Sequence, residues 1–175
     1  QKIQDLQDLK GCHFSAVNEH SLGGWHATER EFVHHGIDPL HDMKLRFEGI
    51  QDRVVEAVLS GRSDAGTVRT SLLETMEKKG LLKPGQLRII NSQKDTYPDY
   101  PFQLSTRLYP NWPFASVQGE NNRICKDVAV ALFEMEPNDP AAVATNSAGW
   151  AIPQDYSSVH ELLRELQHHP YDHPT

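Results

Sequence analysis

The sequence predicts an α/β fold built on a mainly parallel sheet. Strand-like apolar runs alternate with amphipathic helical runs as far as residue 90. The helical runs close on glycine, at Gly36, Gly61 and Gly80. Turn-rich stretches follow the strand runs and lead into the next helix. Alternation of this kind puts helices on the faces of a parallel sheet, joined by right-handed crossovers.

Taken in order, Cys12-His13-Phe14-Ser15-Ala16-Val17 reads as a short strand. Asn18 to Gly24 is rich in turn formers. Trp25 to His35 reads as a helix with Trp25, Phe32 and Val33 inward, Gly36 at its C′ position and Ile37 supplying the apolar contact beyond it. Asp38-Pro39 makes a turn. Lys44 to Glu48 alternates around Leu45 and Phe47, as a half-buried strand does. Asp52 to Ser60 is a helix with Val54, Val55, Val58 and Leu59 on one side. Asp64-Ala65-Gly66 is a very short strand. Thr67 caps a helix running through Leu72, Leu73 and Met76 to Gly80. Leu87 to Ile90 is a fourth strand.

The style changes after Ile90. Pro98, Pro101, Pro110 and Pro113 break residues 91–114, which carry the extended stretch Phe102 to Leu108. A strong amphipathic helix follows over Asn122 to Met135, with Ile124, Val128, Ala131 and Leu132 on one stripe. A second helix covers Ala141 to Asn146 and a third Val159 to Gln167. The helices of residues 115–167 have apolar faces but no sheet of their own, so they need a further surface to pack on, expected upstream of residue 1.

Composition narrows the functions. A net charge of −7 over 175 residues speaks against nucleic acid, because neutralising phosphates needs a basic face. It leaves room for a small anion held by local amides and one cation. The chain has no apolar run long enough to span a bilayer, and no signal peptide, so it reads as a mature segment. Cys12 and Cys125 sit inside predicted elements and read as packing residues rather than as a disulfide framework.

In an open parallel sheet, ligands bind outside the carboxyl ends of the strands. Three loops leave those ends, at 18–24, 49–52 and 66–69, and each is expected to open a helix with free N–H groups. Ser21-Leu22-Gly23-Gly24 offers a hydroxyl and backbone that a ligand can approach closely, which suits an anion; an ordinary N-cap turn has the same residues. Thr67 and Arg69 sit in the expected first turn of a helix, where a cation opposes the dipole. A bound oxyanion would account for it, as would a solvent-exposed side chain. Arg107 either faces the cleft or pairs with Asp95 or Asp99.

Ten histidines occur, but no His-Glu-x-x-His pattern or Cys/His cluster, so neither metal nor cofactor is expected. His20 and His26 flank the anion loop and suit a ligand contact or a pH effect. No nucleophile elbow and no cysteine with an obvious base is present, so the segment is not expected to be an enzyme.

Asp8-Leu9-Lys10-Gly11, followed by a strand and Ser21-Leu22-Gly23-Gly24, resembles the opening of the second lobe of phosphonate-type periplasmic binding proteins. Gly36-Ile37-Asp38-Pro39 and Ala57-Val58 through Gly61 to Asp64-Ala65-Gly66 resemble two further stretches of that family. Asp64 to Glu74, Ser105-Thr106-Arg107-Leu108-Tyr109-Pro110-Asn111-Trp112-Pro113-Phe114, Gly149 to Tyr156 and Val159 to Leu166 are similar to sensor domains of tetrathionate-sensor-like histidine kinases.

The resemblance implies a type II-like periplasmic binding protein fold: one complete lobe with a mainly parallel sheet, plus the C-terminal helices of a truncated other lobe. Residues 2–92 would be the second lobe, 93–100 the crossing segment and 101–170 the returning part of the first. It implies a periplasmic sensing domain of a two-component sensor histidine kinase. The parent chain would be anchored in the inner membrane, signal to a response regulator, and be compatible with a homodimer. The alternative it implies is the substrate-binding protein of a phosphonate- or phosphite-type transporter. Ser21, Leu22, Gly23, Gly24, Gln51, Thr67, Arg69 and Arg107 would hold the ligand. Leu22 stands where phosphonate binders carry Ser or Thr, and they have a His near the position of Gln51. Gln51, Thr67 and Arg69 would instead suit another oxyanion, such as tetrathionate.

Overall fold

A computed structural model describes residues 3–110, 112–145 and 147–172. The expected start of the second lobe at residue 2, the expected helix end at Asn146, and Asn111 of the Ser105–Phe114 motif lie outside the described residues. The chain forms two compact units, Gln1–Leu108 with Ser158–Thr175, and Tyr109–Ser157.

The first unit is built on a three-stranded parallel sheet in the order β2-β1-β3. The strands are β1 (His13–Ala16), β2 (Lys44–Phe47) and β3 (Ala65–Gly66). In register, Phe14 lies opposite Leu45 on one side and Ala65 on the other. Because β1 is central, it is buried on both faces, and Phe14, Ser15 and Ala16 are all inaccessible. Phe14 packs into the main core with Leu9, Trp25, Phe32, Ile37 and Met43. Its ring meets Phe32 edge-on at 5.2 Å, an arrangement that satisfies the ring quadrupoles.

Ser15 points to the other face and is satisfied there. Its hydroxyl donates to the Glu48 carboxylate at 3.1 Å and shares a 2.6 Å hydrogen bond with Ser63. Glu48 in turn is flanked by Arg62 at 3.4 Å and Arg46 at 3.6 Å. A polar group on a buried strand is thus fully partnered, as low dielectric demands.

The helix expected at 25–35 begins earlier and in a wider form. Leu22–His26 is a π-helical turn, in which His26 N–H donates to the Ser21 carbonyl; α1 (Ala27–His34) continues from it. Gly36 takes φ 68° after α1, and Ile37 N–H donates back to the Phe32 carbonyl at 2.9 Å. Ile37 is buried, so the expected cap with its apolar contact is present. Helix α2 (Gln51–Leu59) buries Val54, Val55 and Ala57.

Four expectations need correction. Val33 is 48% exposed rather than inward, because Phe32 takes the core-facing position of that turn. Leu59, the last residue of α2, is exposed rather than packed with Val54 and Val55. Leu87–Ile90 is not a strand. Its side chains serve packing instead, Leu87 against Val55, Met76 and Leu82, and Ile90 against the main core. The chain beyond it pairs elsewhere, with Gln93 N–H donating to the Leu104 carbonyl and Asn91 Nδ2 to that of Ser105. Finally, the helix expected to start at Thr67 is α3 (Leu72–Lys78). Thr67 N–H is committed to the Ser15 carbonyl at 2.9 Å, and Ser71 has φ 74°, which no right-handed helix can pass through.

The second unit contains α4 (Asn122–Phe133) and α5 (Pro140–Thr145). Asn121 caps α4, its Oδ1 accepting from Arg123 N–H. No residue of α4 is buried, and Ile124, Val130 and Phe133 are exposed. Trp150 meets Phe114 edge-on.

Helix α6 (Ser157–Glu165) brings the chain back to the first unit. Arg30 lies two residues before Phe32, hence on another face of α1, and is only 2% exposed. Its Nε and Nη2 donate to the two Glu165 carboxylate oxygens, each at 2.6 Å, and His34 reaches Oε2 at 3.0 Å. Such a bidentate fork is the strongest form of this contact. The Arg30 hydrogen bond is the main reason the Glu165 carboxyl is held down at about 2 instead of 4.5.

Truncating Phe32 to Ala should cost about 3–5 kcal/mol by opening a cavity in the main core, read from urea unfolding. The Glu165 pairing is complete above about pH 4.5 and is lost as pH falls through about 2, because protonation removes the acceptor charge. The stability gap between the wild-type chain and Glu165→Gln should therefore shrink steadily as pH falls across that window. Parallel pH profiles for the two proteins would show that the pairing contributes nothing.

Candidate functional site

All three strands run the same way, so the ends of β1, β2 and β3 share one edge. The segments leaving that edge carry Ser21–Gly24, Gln51, Thr67 and Arg69. Ser21 has extended backbone (φ −86°, ψ 116°) and caps the turn that follows, its Oγ accepting from Gly24 N–H at 3.1 Å. That bond uses one N–H of the turn, while Leu22 and Gly23 lie earlier in it.

Gly24 is where it is because nothing larger fits. A Cβ there would lie 2.7 Å from Ser21 Oγ and 2.8 Å from the Val17 side chain. Its carbonyl also accepts from Val17 N–H at 3.1 Å, tying the turn to the end of β1. Gly23 faces Arg69, since a Cβ on it would stand 3.9 Å from Arg69 Cβ.

Arg69 is positioned by Gln51. The Gln51 side-chain oxygen accepts from Arg69 N–H at 2.9 Å, so the first residue of α2 holds the loop after β3. Arg69 itself is exposed. It is not in the first turn of a helix, since α3 starts at Leu72, and the expected opposition between its charge and a helix dipole is absent. Thr67 is nearly buried, and its hydroxyl shares a 2.7 Å hydrogen bond with that of Thr28 on α1. The structure therefore brings Ser21–Gly24, Gln51, Thr67 and Arg69 to one edge of the sheet.

Arg107 is placed by a different contact. Its backbone N–H reaches Glu31 Oε1 on α1 at 3.5 Å. Thr106 folds its hydroxyl onto the Arg107 carbonyl at 2.9 Å. The contact described for Arg107 is thus one of its backbone, with the Glu31 carboxylate as acceptor. A separate surface depression lined by Asp5, Leu6, Gln7, His35 and Asn91 lies at the C-terminal end of α1, without a cation in its wall.

Sequence reasoning missed three partners. Thr28 was not singled out, although a hydroxyl one turn into the helix after the anion loop is a usable signal. The Ser15–Ser63–Glu48 network links residues far apart in the chain and gives no local pattern. The third is a group around His26. That ring is 6% exposed, and burial lowers its pKa from 6.5 to about 4, so it is neutral near pH 7. It stacks on His168 with centroids 4.2 Å apart. His168 Nε2 lies 2.8 Å from Glu29 Oε2.

Comparison with known proteins fits this geometry. The family model described as the periplasmic substrate-binding protein of a phosphonate ABC transporter matches residues 1–171. The chain is also 30% identical, over 96% of its length, to the tetrathionate sensor histidine kinase TtrS of Salmonella typhimurium, and spans 27% of that protein. Among the described residues no helix is long and apolar enough to cross a membrane. With a family match that runs almost from end to end, over a parallel sheet whose strand ends collect the expected loops, the chain belongs to the phosphonate-type periplasmic substrate-binding protein family.

Proposed function

We propose that this chain is the periplasmic ligand-sensing segment of a two-component sensor histidine kinase. It would bind a small oxyanion, of the tetrathionate type, at the edge formed by Ser21, Leu22, Gly23, Gly24, Gln51, Thr67 and Arg69. Arg107 would approach from the segment beside α1. One observation carries the reading: Gln51 fixes Arg69 beside Gly23, in a chain similar along 96% of its length to a tetrathionate sensor kinase. A guanidinium next to small, accessible backbone suits paired oxyanion oxygens, and Leu22 leaves room for a ligand less demanding of hydroxyl donors than a phosphonate.

In this reading residues 2–92 are one lobe of a two-lobed clamp, and the returning segment 101–170 gives the unit Tyr109–Ser157 to the other while α6 stays with the first. The exposed apolar stripe of α4 supports that map, because a helix of this kind has a partner surface. The ligand would act by favouring the closed arrangement of the lobes, in proportion to its greater affinity for that state. The parent protein would be anchored in the inner membrane, act as a homodimer and pass the signal to a response regulator. This segment would perform no chemistry.

The second reading is a binding protein that delivers a phosphonate or phosphite to a transporter, favoured by the description of the family model. Both readings place the ligand at the same edge, and they differ in its identity.

Arg69→Ala in the intact two-lobed protein should weaken oxyanion binding roughly 10- to 100-fold, the equivalent of one charge-assisted contact of about 1.5–3 kcal/mol. Calorimetry with tetrathionate, sulfate, phosphite and a methylphosphonate decides the ligand class in the same series. Unchanged affinity in the variant would remove Arg69 from the site, and preference for the phosphonate would select the transport reading. Gly24→Ala should destabilise the fold by about 1–3 kcal/mol through overpacking against Ser21 and Val17. Thermal unfolding of that variant at the wild-type midpoint would contradict the crowding argument.

A further inference from the structure

We propose that His26, Glu29 and His168 form a binding site for a transition-metal ion of the zinc type, which fastens the segment after α6 to the start of α1. The three side chains each offer a ligand atom, and these atoms lie within 4.8 Å of one another. They come from the π-helical turn, from α1 and from the chain after α6, with Glu29 and His168 separated by 139 residues. Two imidazoles and a carboxylate are the donor set of a zinc site that keeps a position for water. Imidazole nitrogens select such ions over calcium or magnesium.

The hydrogen bonds around the group favour ligation. His26 Nε2 lies 2.6 Å from the Glu19 carbonyl. A carbonyl only accepts, so Nε2 carries the proton and the lone pair of the neutral ring is on Nδ1. A ring nitrogen anchored on a backbone carbonyl while the other faces a cation is the usual outer-sphere arrangement of metal-bound histidine. Glu29 is largely buried, with its side chain 12% exposed, and its present partner is His168. An ion placed between them takes over the attraction that their hydrogen bond now supplies.

The ring stack sets the one structural demand. Imidazole lone pairs lie in the ring plane, and the two rings are stacked within 19° of parallel. Both cannot face one ion in that pose, so the His168 ring turns edge-on when the ion binds. His168 is the freer of the two, its side chain 31% exposed and its backbone outside any helix.

The site stands apart from the oxyanion reading. It shares an element with it, because His26 closes the turn that Ser21 caps. A metal here would hold the end of the chain against the helix that leads from the anion loop.

The test uses the purified chain and zinc itself, in competition with a chromogenic chelator. The expected result is one zinc per chain, with affinity at least about tenfold weaker in both His168→Gln and Glu29→Gln and unchanged in His41→Gln, a surface histidine. Equal affinity in all four proteins would mean scattered surface histidines take the ion, and overturns the proposal. So does the absence of zinc uptake. X-ray absorption on the zinc-loaded unaltered chain keeps the question answerable if a variant fails to fold. Two imidazole nitrogens and a carboxylate oxygen around the ion support the site, and one imidazole or none overturns it.

Discussion

The rest of the first unit depends on the burial of β1 on both faces. A central strand four residues long, between two parallel neighbours, has no solvent side. One face must be apolar, and Phe14 and Ala16 supply it. The other carries Ser15, which is tolerated only because Ser63 and Glu48 complete its hydrogen bonds. Since β2 and β3 both run parallel to β1, their carboxyl ends meet on one edge. The candidate site is a consequence of that arrangement before any of its residues is chosen for chemistry.

The local signals in the sequence describe the sheet well and the loops less well. β1 and β2 fall within a residue of their expected limits because a short apolar run around Phe14 and alternation around Leu45 are local properties. Gly36 marks the end of α1 for a reason internal to the helix. The start of α3 is different. Thr67 has the chemistry of a helix cap, yet its N–H completes the sheet ladder to Ser15, and tertiary pairing overrides the local preference. Leu87–Ile90 fails in the same way: an apolar run of strand length is read as a strand, but two side-chain clusters claim it first.

For the site, glycine spacing was informative and charge placement was not. The need for Gly24 follows from steric crowding that any tight strand-to-helix turn creates. Arg69 was expected at a helix end and instead sits in a loop held by Gln51. Its nearness to Gly23 rests on β1 and β3 being neighbours, a fact of topology. His168, Glu165 and Ser63 could not be read from local pattern at all, because each meets its partner across a large gap in sequence.

The Arg30–Glu165 pair spans 135 residues. Closing so long a loop is slow relative to local helix and turn formation, and contacts of this separation form late. During synthesis, the sheet residues and α1 leave the ribosome well before Glu165 does. Over that interval the α1 guanidinium faces the surroundings without the Glu165 carboxylate, and the face that α6 will cover is open. The first unit is therefore completed by its most distant segment, and the stretch of chain between Arg30 and Glu165 is free to be long at modest entropic cost.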